Sequence, residues 1–159
     1  LMTAILLAGR SGAAFAAEIG TMRVNQEVDA LQTMGLDPVR FLVVPRLLAA
    51  LIMTPLLTIF ADMAGLIGGA LTMLAFSIPT VTYFNELSAW VSAGDFLSGW
   101  VKSFVFGVLI AGIGCARGLA TKNDATAVGE ATTDAVVASI IMIVVVDGIF
   151  ALLYFKLDV

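Results

Sequence analysis

Histidine is missing from this chain altogether, and cysteine occurs once, at position 115. Without histidine the commonest metal ligand and general base is gone, and no Ser-His-Asp relay can be assembled. One cysteine cannot close an intrachain disulfide, and Cys115 lies inside an apolar run, where it reads as a packing residue. Charge is scarce as well. Only 13% of the 159 residues are charged, and 8 basic residues face 12 acidic ones, which excludes a basic nucleic-acid-binding surface. No G-x-x-x-x-G-K-S/T loop is present, so the chain has no means of hydrolysing ATP itself, and no metal-ligand cluster is visible. Enzymatic chemistry and a resident metal or cofactor are not expected.

What the chain has in abundance is apolar sequence. Hydrophobic residues make up 60% and the mean hydropathy is +1.05, values that no ordinary water-soluble domain of this size shows. The composition therefore predicts an all-α integral membrane protein in a single domain, 1–159, because isolated helices alone satisfy their backbone groups in lipid without closing a barrel. Four apolar segments are expected: Leu1 to about Ile19, the stretch after Arg46 to about Phe76, Trp100 to Leu119, and Ala135 to Phe155. The chain opens at Leu1 in the middle of an apolar pattern, with no charged region and cleavage site of a signal peptide, and is expected to be a fragment lacking upstream membrane segments. Pro55 should bend the second segment. Small residues recur at three- and four-residue spacing, as at Gly9/Ala13, Gly107/Ala111 and Gly114/Gly118, and would let helices approach closely. Ser77 to Gly99 reads as a turn-rich loop flanked by Tyr83, Trp90 and Trp100, in which Phe84, Leu87 and Val91 can form one face of a short interfacial helix.

The stretch from Glu18 to Pro45 is the one long polar interruption with a helical pattern of its own. Val24, Val28, Leu31 and Met34 fall on one face, and Asn25, Gln26, Asp29, Gln32 and Thr33 on the other. Gly35 stands at a C-cap position and Asp37-Pro38 forbids continuation, so the helix should stop near Met34. Arg23, Arg40 and Arg46 in the first loop and Arg117 and Lys122 in the third outnumber Lys102 and Lys156 on the other side, which puts this amphipathic helix in the cytoplasm. A short surface helix between two membrane segments is well placed to receive a partner protein.

Charges inside apolar segments are costly and mark function by default. Arg10, Asp62, Lys102 and Asp147 are the candidates for an intramembrane charge or lipid pathway. Arg10 lies too deep to remain unpaired, with a carboxylate, backbone carbonyls or a phospholipid headgroup as possible partners. Lys102 and Asp147 are expected to meet, since the start of the third segment and the end of the fourth lie on one side, and Asp62 competes for the same lysine.

Three runs, AGRSGAAFAAEIGTMRVNQEVDALQTMGLDPVRFLVVPR, DFLSGWVKSFVFG and VGEATTDAVVASIIMIVVVD, occur in this order and cover most of the chain. Together they resemble the MlaE/YrbE family of ABC-transporter permeases that work with MCE proteins. The resemblance implies a homodimeric permease of the bacterial inner membrane, rather than of a plastid envelope, that moves phospholipids or related lipids to or from a periplasmic MCE-domain protein. It implies a cytoplasmic ABC ATPase that binds ATP and Mg in its own chain, and a small cytoplasmic accessory subunit as a further candidate partner. The coupling helix would be Asn25 to Met34, with Glu18 and Arg23 at its base and Glu27 also in the ATPase coupling; its buried side, Val24, Val28, Leu31 and Met34, would pack against the ATPase or back on the permease itself. The family's upstream interfacial helix and first span would be absent. Asp134 stands after ATT where some members carry a basic residue, so no role for a positive charge carries over to it.

Two other readings compete on the residues alone. Asp62, Asp147 and Lys102 suggest an ion- or proton-coupled secondary transporter, and the small-residue faces suggest a membrane scaffold. Neighbouring genes for an ATPase and an MCE protein would favour the permease.

Overall fold

Apolar runs this long, interrupted by polar turns, have only the helix available to them in lipid, and the fold follows that constraint. The computed structural model describes residues 1–76, 79–91 and 93–157, and all regular structure among them is helical. In chain order the elements are α1 (Met2–Val24), α2 (Glu27–Thr33), α3 (Val39–Ala75), α4 (Thr80–Trp90), α5 (Ala93–Leu119) and α6 (Ala125–Leu157). The long ones, α1, α3, α5 and α6, are each apolar enough to cross a membrane.

These helices outrun the apolar segments expected from hydropathy. α3 has 37 residues, which at about 1.5 Å per residue is far longer than a bilayer core of about 30 Å. α5 begins at Ala93 rather than Trp100, and α6 at Ala125 rather than Ala135. Hydropathy marks where lipid must be, whereas a helix ends where capping ends it. For α6 the cap is Asp124, whose carboxylate accepts a hydrogen bond from the Thr126 hydroxyl. That bond, with the backbone N–H groups of Thr126 and Ala125, holds the Asp124 carboxyl below the usual range.

α5 is the central element and packs against α1, α3 and α6, while α1 also packs against α6. Ala4, Ala8, Phe106, Ile110 and Ile143 form the buried centre of that junction. Among the glycines the tightest site is Gly114, between α1 and α5, where an added Cβ would lie 2.6 Å from the Gly12 carbonyl oxygen. Only glycine lets the two backbones pass at that distance. Gly118 continues the seam against Ile19 and the Ala16 carbonyl, and Gly107 meets Thr54 and the Ala50 carbonyl of α3. The Gly107 and Gly114/Gly118 faces are thus used within the chain, and Gly9 has nothing within 4 Å.

The outward faces remain apolar. Leu48, Ile52, Phe60 and Ile67 on α3 and Val137, Ile141 and Val144 on α6 are exposed, an arrangement that water would penalise and lipid requires. α3 runs unbroken through Pro55, which is buried beside Thr54. Within the stretch expected as a turn-rich loop, Ser77 to Gly99, of which Ser77, Ile78 and Ser92 lie outside the described residues, α4 is a short helix as Phe84 and Leu87 suggested. It folds back on α3: the Tyr83 hydroxyl donates to the Leu66 carbonyl at 3.1 Å, and its ring covers Gly69. The inward face is therefore Tyr83 and Leu87, with Phe84 pointing away and Val91 already extended.

Candidate functional site

At one end of the bundle the chain makes a joint between α1 and α2. α1 ends at Val24, Asn25 caps it, and Gln26 turns the chain with φ +60° before α2 begins at Glu27. The amphipathic helix is thus shorter than the expected Asn25 to Met34. Val24 belongs to the end of α1 and not to α2, because a left-handed residue at position 26 interrupts the helical register between Val24 and Val28. The far end is as the residues require: Gly35 has φ +77°, its N–H reaches the Gln32 carbonyl and the Leu36 N–H reaches the Leu31 carbonyl, both at 3.0 Å. Val28 is buried against the body and Leu31 is half-buried. Met34 is 66% exposed, so it is not part of a face covered by this chain.

Ion pairs tie this joint to the bundle. Arg23 Nη1 lies 3.9 Å from Asp29 Oδ1, linking α1 to α2. Arg46 Nη2 lies 3.0 Å from Glu18 Oε2, linking α3 to α1, while its Nη1 donates to the Leu42 carbonyl at 3.0 Å. That carbonyl sits in a widened turn, Val39–Val43, just before Pro45, which has no N–H to give back to the ladder. With a side chain only 14% exposed, Arg46 is the most enclosed charge of the joint, and the sequence pattern marked it merely as loop charge. The available signal was its complement: Glu18 ends the first apolar segment where Arg46 begins the second.

The other charged group lies about 24 Å along α5 from Gly118, sixteen residues away. Lys102 Nζ is 3.2 Å from Asp147 Oδ1, as expected from topology, and also lies 5.7 Å and 5.2 Å from the ring centroids of Phe150 and Tyr154. Both partners line a cavity of about 460 Å³ together with Asp62, Asp95, Thr54, Thr58 and Ser103. Asp62 shares the chamber but makes no ion pair or hydrogen bond to a described residue, so the lysine's partner is Asp147.

A second cavity of about 320 Å³ adjoins the first. Its lining is apolar, with Leu7, Phe15, Met53, Leu57 and Ile110 around it, and Thr54 borders both chambers. Along α1, α3 and α5 the polar chamber and the apolar one are stacked in the same order, Thr3 before Leu7, Asp62 beyond Leu57, Lys102 before Gly107. The result is an amphipathic space, charged at one end and greasy at the other.

Arg10 enters neither chamber. It stands on a widened turn, Ala8–Gly12, is exposed, and has no ion pair or side-chain hydrogen bond among the described residues, so the carboxylate or carbonyl partner expected for it is not found there. Gly12 on that turn presses against α5, which turns Arg10 to the opposite, outer side of α1. Among the described residues no group of side chains could hold a metal ion.

The sequence matches the family Permease MlaE over residues 1–153. The chain belongs to the MlaE permease family. It is similar to a probable ABC transporter permease protein of Synechocystis, 41% identical over 98% of this chain and 60% of the relative. A probable ABC transporter permease protein of Rickettsia prowazekii is 39% identical over 98% of this chain and 61% of its own. The chloroplastic protein TRIGALACTOSYLDIACYLGLYCEROL 1 of Arabidopsis thaliana is 36% identical over 98% of this chain and 45% of its own. This MlaE-family chain therefore spans about 60% of the length of its bacterial relatives. Within it the two charged groups occupy opposite ends of α5, and α1 runs between them.

Proposed function

We propose that the chain is the core of a permease subunit of an ABC transporter that moves phospholipids or related lipids, driven by a separate ATPase. The observation that carries this is the stacked pair of chambers meeting at Thr54, since a polar end holding Lys102, Asp62 and Asp147 above an apolar end matches a lipid's headgroup and chain. The names of its relatives support an ABC permease, and one of them bears the name of a galactolipid.

In this reading α2 is the coupling helix. Val28 anchors it to the permease, and Met34, with Leu36 beside it, is left for the ATPase. Movement of α2 reaches α1 through Arg23–Asp29 and α3 through Glu18–Arg46, and α1 and α3 are the walls of both chambers. The chain works as a homodimer with two ATPase subunits, which bind ATP and Mg, and exchanges lipid with a periplasmic MCE-domain protein; a small cytoplasmic accessory subunit is a further partner. The membrane is the bacterial inner membrane.

The test is Met34→Asp in the full-length permease assembled with its ATPase in proteoliposomes. The variant should insert normally and lose lipid-stimulated ATP hydrolysis, because a carboxylate enters an apolar contact. Unchanged lipid-stimulated hydrolysis would remove α2 from the coupling path. Asp62, with no ion pair or hydrogen bond to a described residue, favours a second reading as an ion- or proton-coupled transporter. Lipid movement that follows an imposed proton gradient and needs no ATP would select it.

A further inference from the structure

A third cavity of about 510 Å³ lies between α5 and α6, lined by Leu109, Ile113, Ala138, Ile141 and Met142, with Arg117 at its end. We propose that it is a binding groove for one phospholipid with a primary-amine headgroup, separate from the two chambers of the transport path. From Arg117 back to Leu109 the groove follows eight residues of α5, about 12 Å, close to the depth of one leaflet in a bilayer core of about 30 Å. An acyl chain is the ligand such a wall suits. The headgroup level is set by the chain itself: α5 ends at Leu119, and Lys122, Asp124 and Glu130 follow, so Arg117 stands at the boundary between apolar and polar sequence.

At that boundary Arg117 Nη1 lies 3.8 Å from Asp134 Oδ2, and both side chains are about half exposed or more. This is an ion pair without a direct hydrogen bond, and its exposure leaves the guanidinium fork with donors to offer a phosphate and the carboxylate with lone pairs to offer an ammonium. Opposite charges held side by side complement a headgroup that carries phosphate and ammonium on adjacent carbons. A primary ammonium donates hydrogen bonds to Asp134, whereas a quaternary one has no N–H to give, and a glycerol headgroup brings no positive charge. Asp134 therefore gives the groove its choice of headgroup, and Arg117 its grip on any phospholipid.

The experiment uses the full-length permease in its assembled complex, with phospholipids carrying a diazirine in the acyl chain and either an ethanolamine, a choline or a glycerol headgroup. After irradiation, labelled peptides are mapped by mass spectrometry. The ethanolamine probe should label the Ile113 and Met142 regions about threefold more than the choline probe, the size expected of one exposed charged contact. Asp134→Asn should erase that preference, Arg117→Gln should weaken labelling by all three probes, and Ile141→Trp, at an exposed position, should block the groove without disturbing the fold. Equal labelling by ethanolamine and choline probes in the unmodified protein would overturn the proposal. So would labelling that survives Ile141→Trp, or crosslinks from this face to a second copy of the chain in place of lipid.

Discussion

Replacing Lys102 by Met keeps the unbranched shape and all but the last atom of the side chain and removes its charge, which largely separates the ion pair from packing. At 3.2 Å the Lys102–Asp147 attraction is about 5 kcal/mol for an effective dielectric of 20, before desolvation and side-chain entropy are subtracted. Their side chains are 20% and 30% exposed, so screening reduces the net coupling to about 1–3 kcal/mol. Lys102→Met should cost more than Asp147→Asn, by about 1 kcal/mol. The lysine also loses its contacts with Phe150 and Tyr154, and its removal leaves Asp147 and Asp62 facing each other across one chamber. In Asp147→Asn the ammonium keeps both rings and can turn toward Asp62. The double variant should be less damaged than the sum of the two single ones by the coupling energy. Reversible unfolding of the full-length protein in mixed detergent micelles gives the stabilities, and lipid transfer in proteoliposomes gives the functional cycle. If the single effects add to within about 0.5 kcal/mol, the two residues act independently and the reasoning from their distance fails.

Two further outcomes follow from the packing and the caps. Gly114→Ala places a methyl group against the Gly12 backbone and should destabilise the protein by about 1–3 kcal/mol, while Gly9→Ala, in open space, should be neutral within about 0.5 kcal/mol by the same unfolding measurement. Asp124 has a folded-state carboxyl held below its ordinary value, so its cap is fully present at neutral pH and is lost as pH falls through that lowered value. Amide exchange in the first turn of α6, corrected for intrinsic rate, should therefore rise in acid, and Asp124→Ala should show the raised exchange already at neutral pH.

The amino-acid sequence by itself determined the membrane class, the four long helices and the stop at Gly35, because hydrophobic length, periodicity and glycine's access to positive φ are local properties. It also brought Lys102 within reach of Asp147, since alternating topology leaves their segment ends on one side, but the choice between Asp147 and Asp62 came from the structure. Other features required the tertiary structure. Nothing local distinguishes Gly114, which touches the Gly12 backbone, from Gly9, which touches nothing, because the difference lies in the neighbouring helix. The break at Gln26 was hidden because its side chain suits the polar face of an uninterrupted helix equally well, and only the joint between α1 and α2 demands φ +60° there. Arg46 was legible as a charge but not as the partner of Glu18, and Thr54 as a polar residue but not as the border of two chambers. Distances between helices decide these roles, and a sequence records each helix separately.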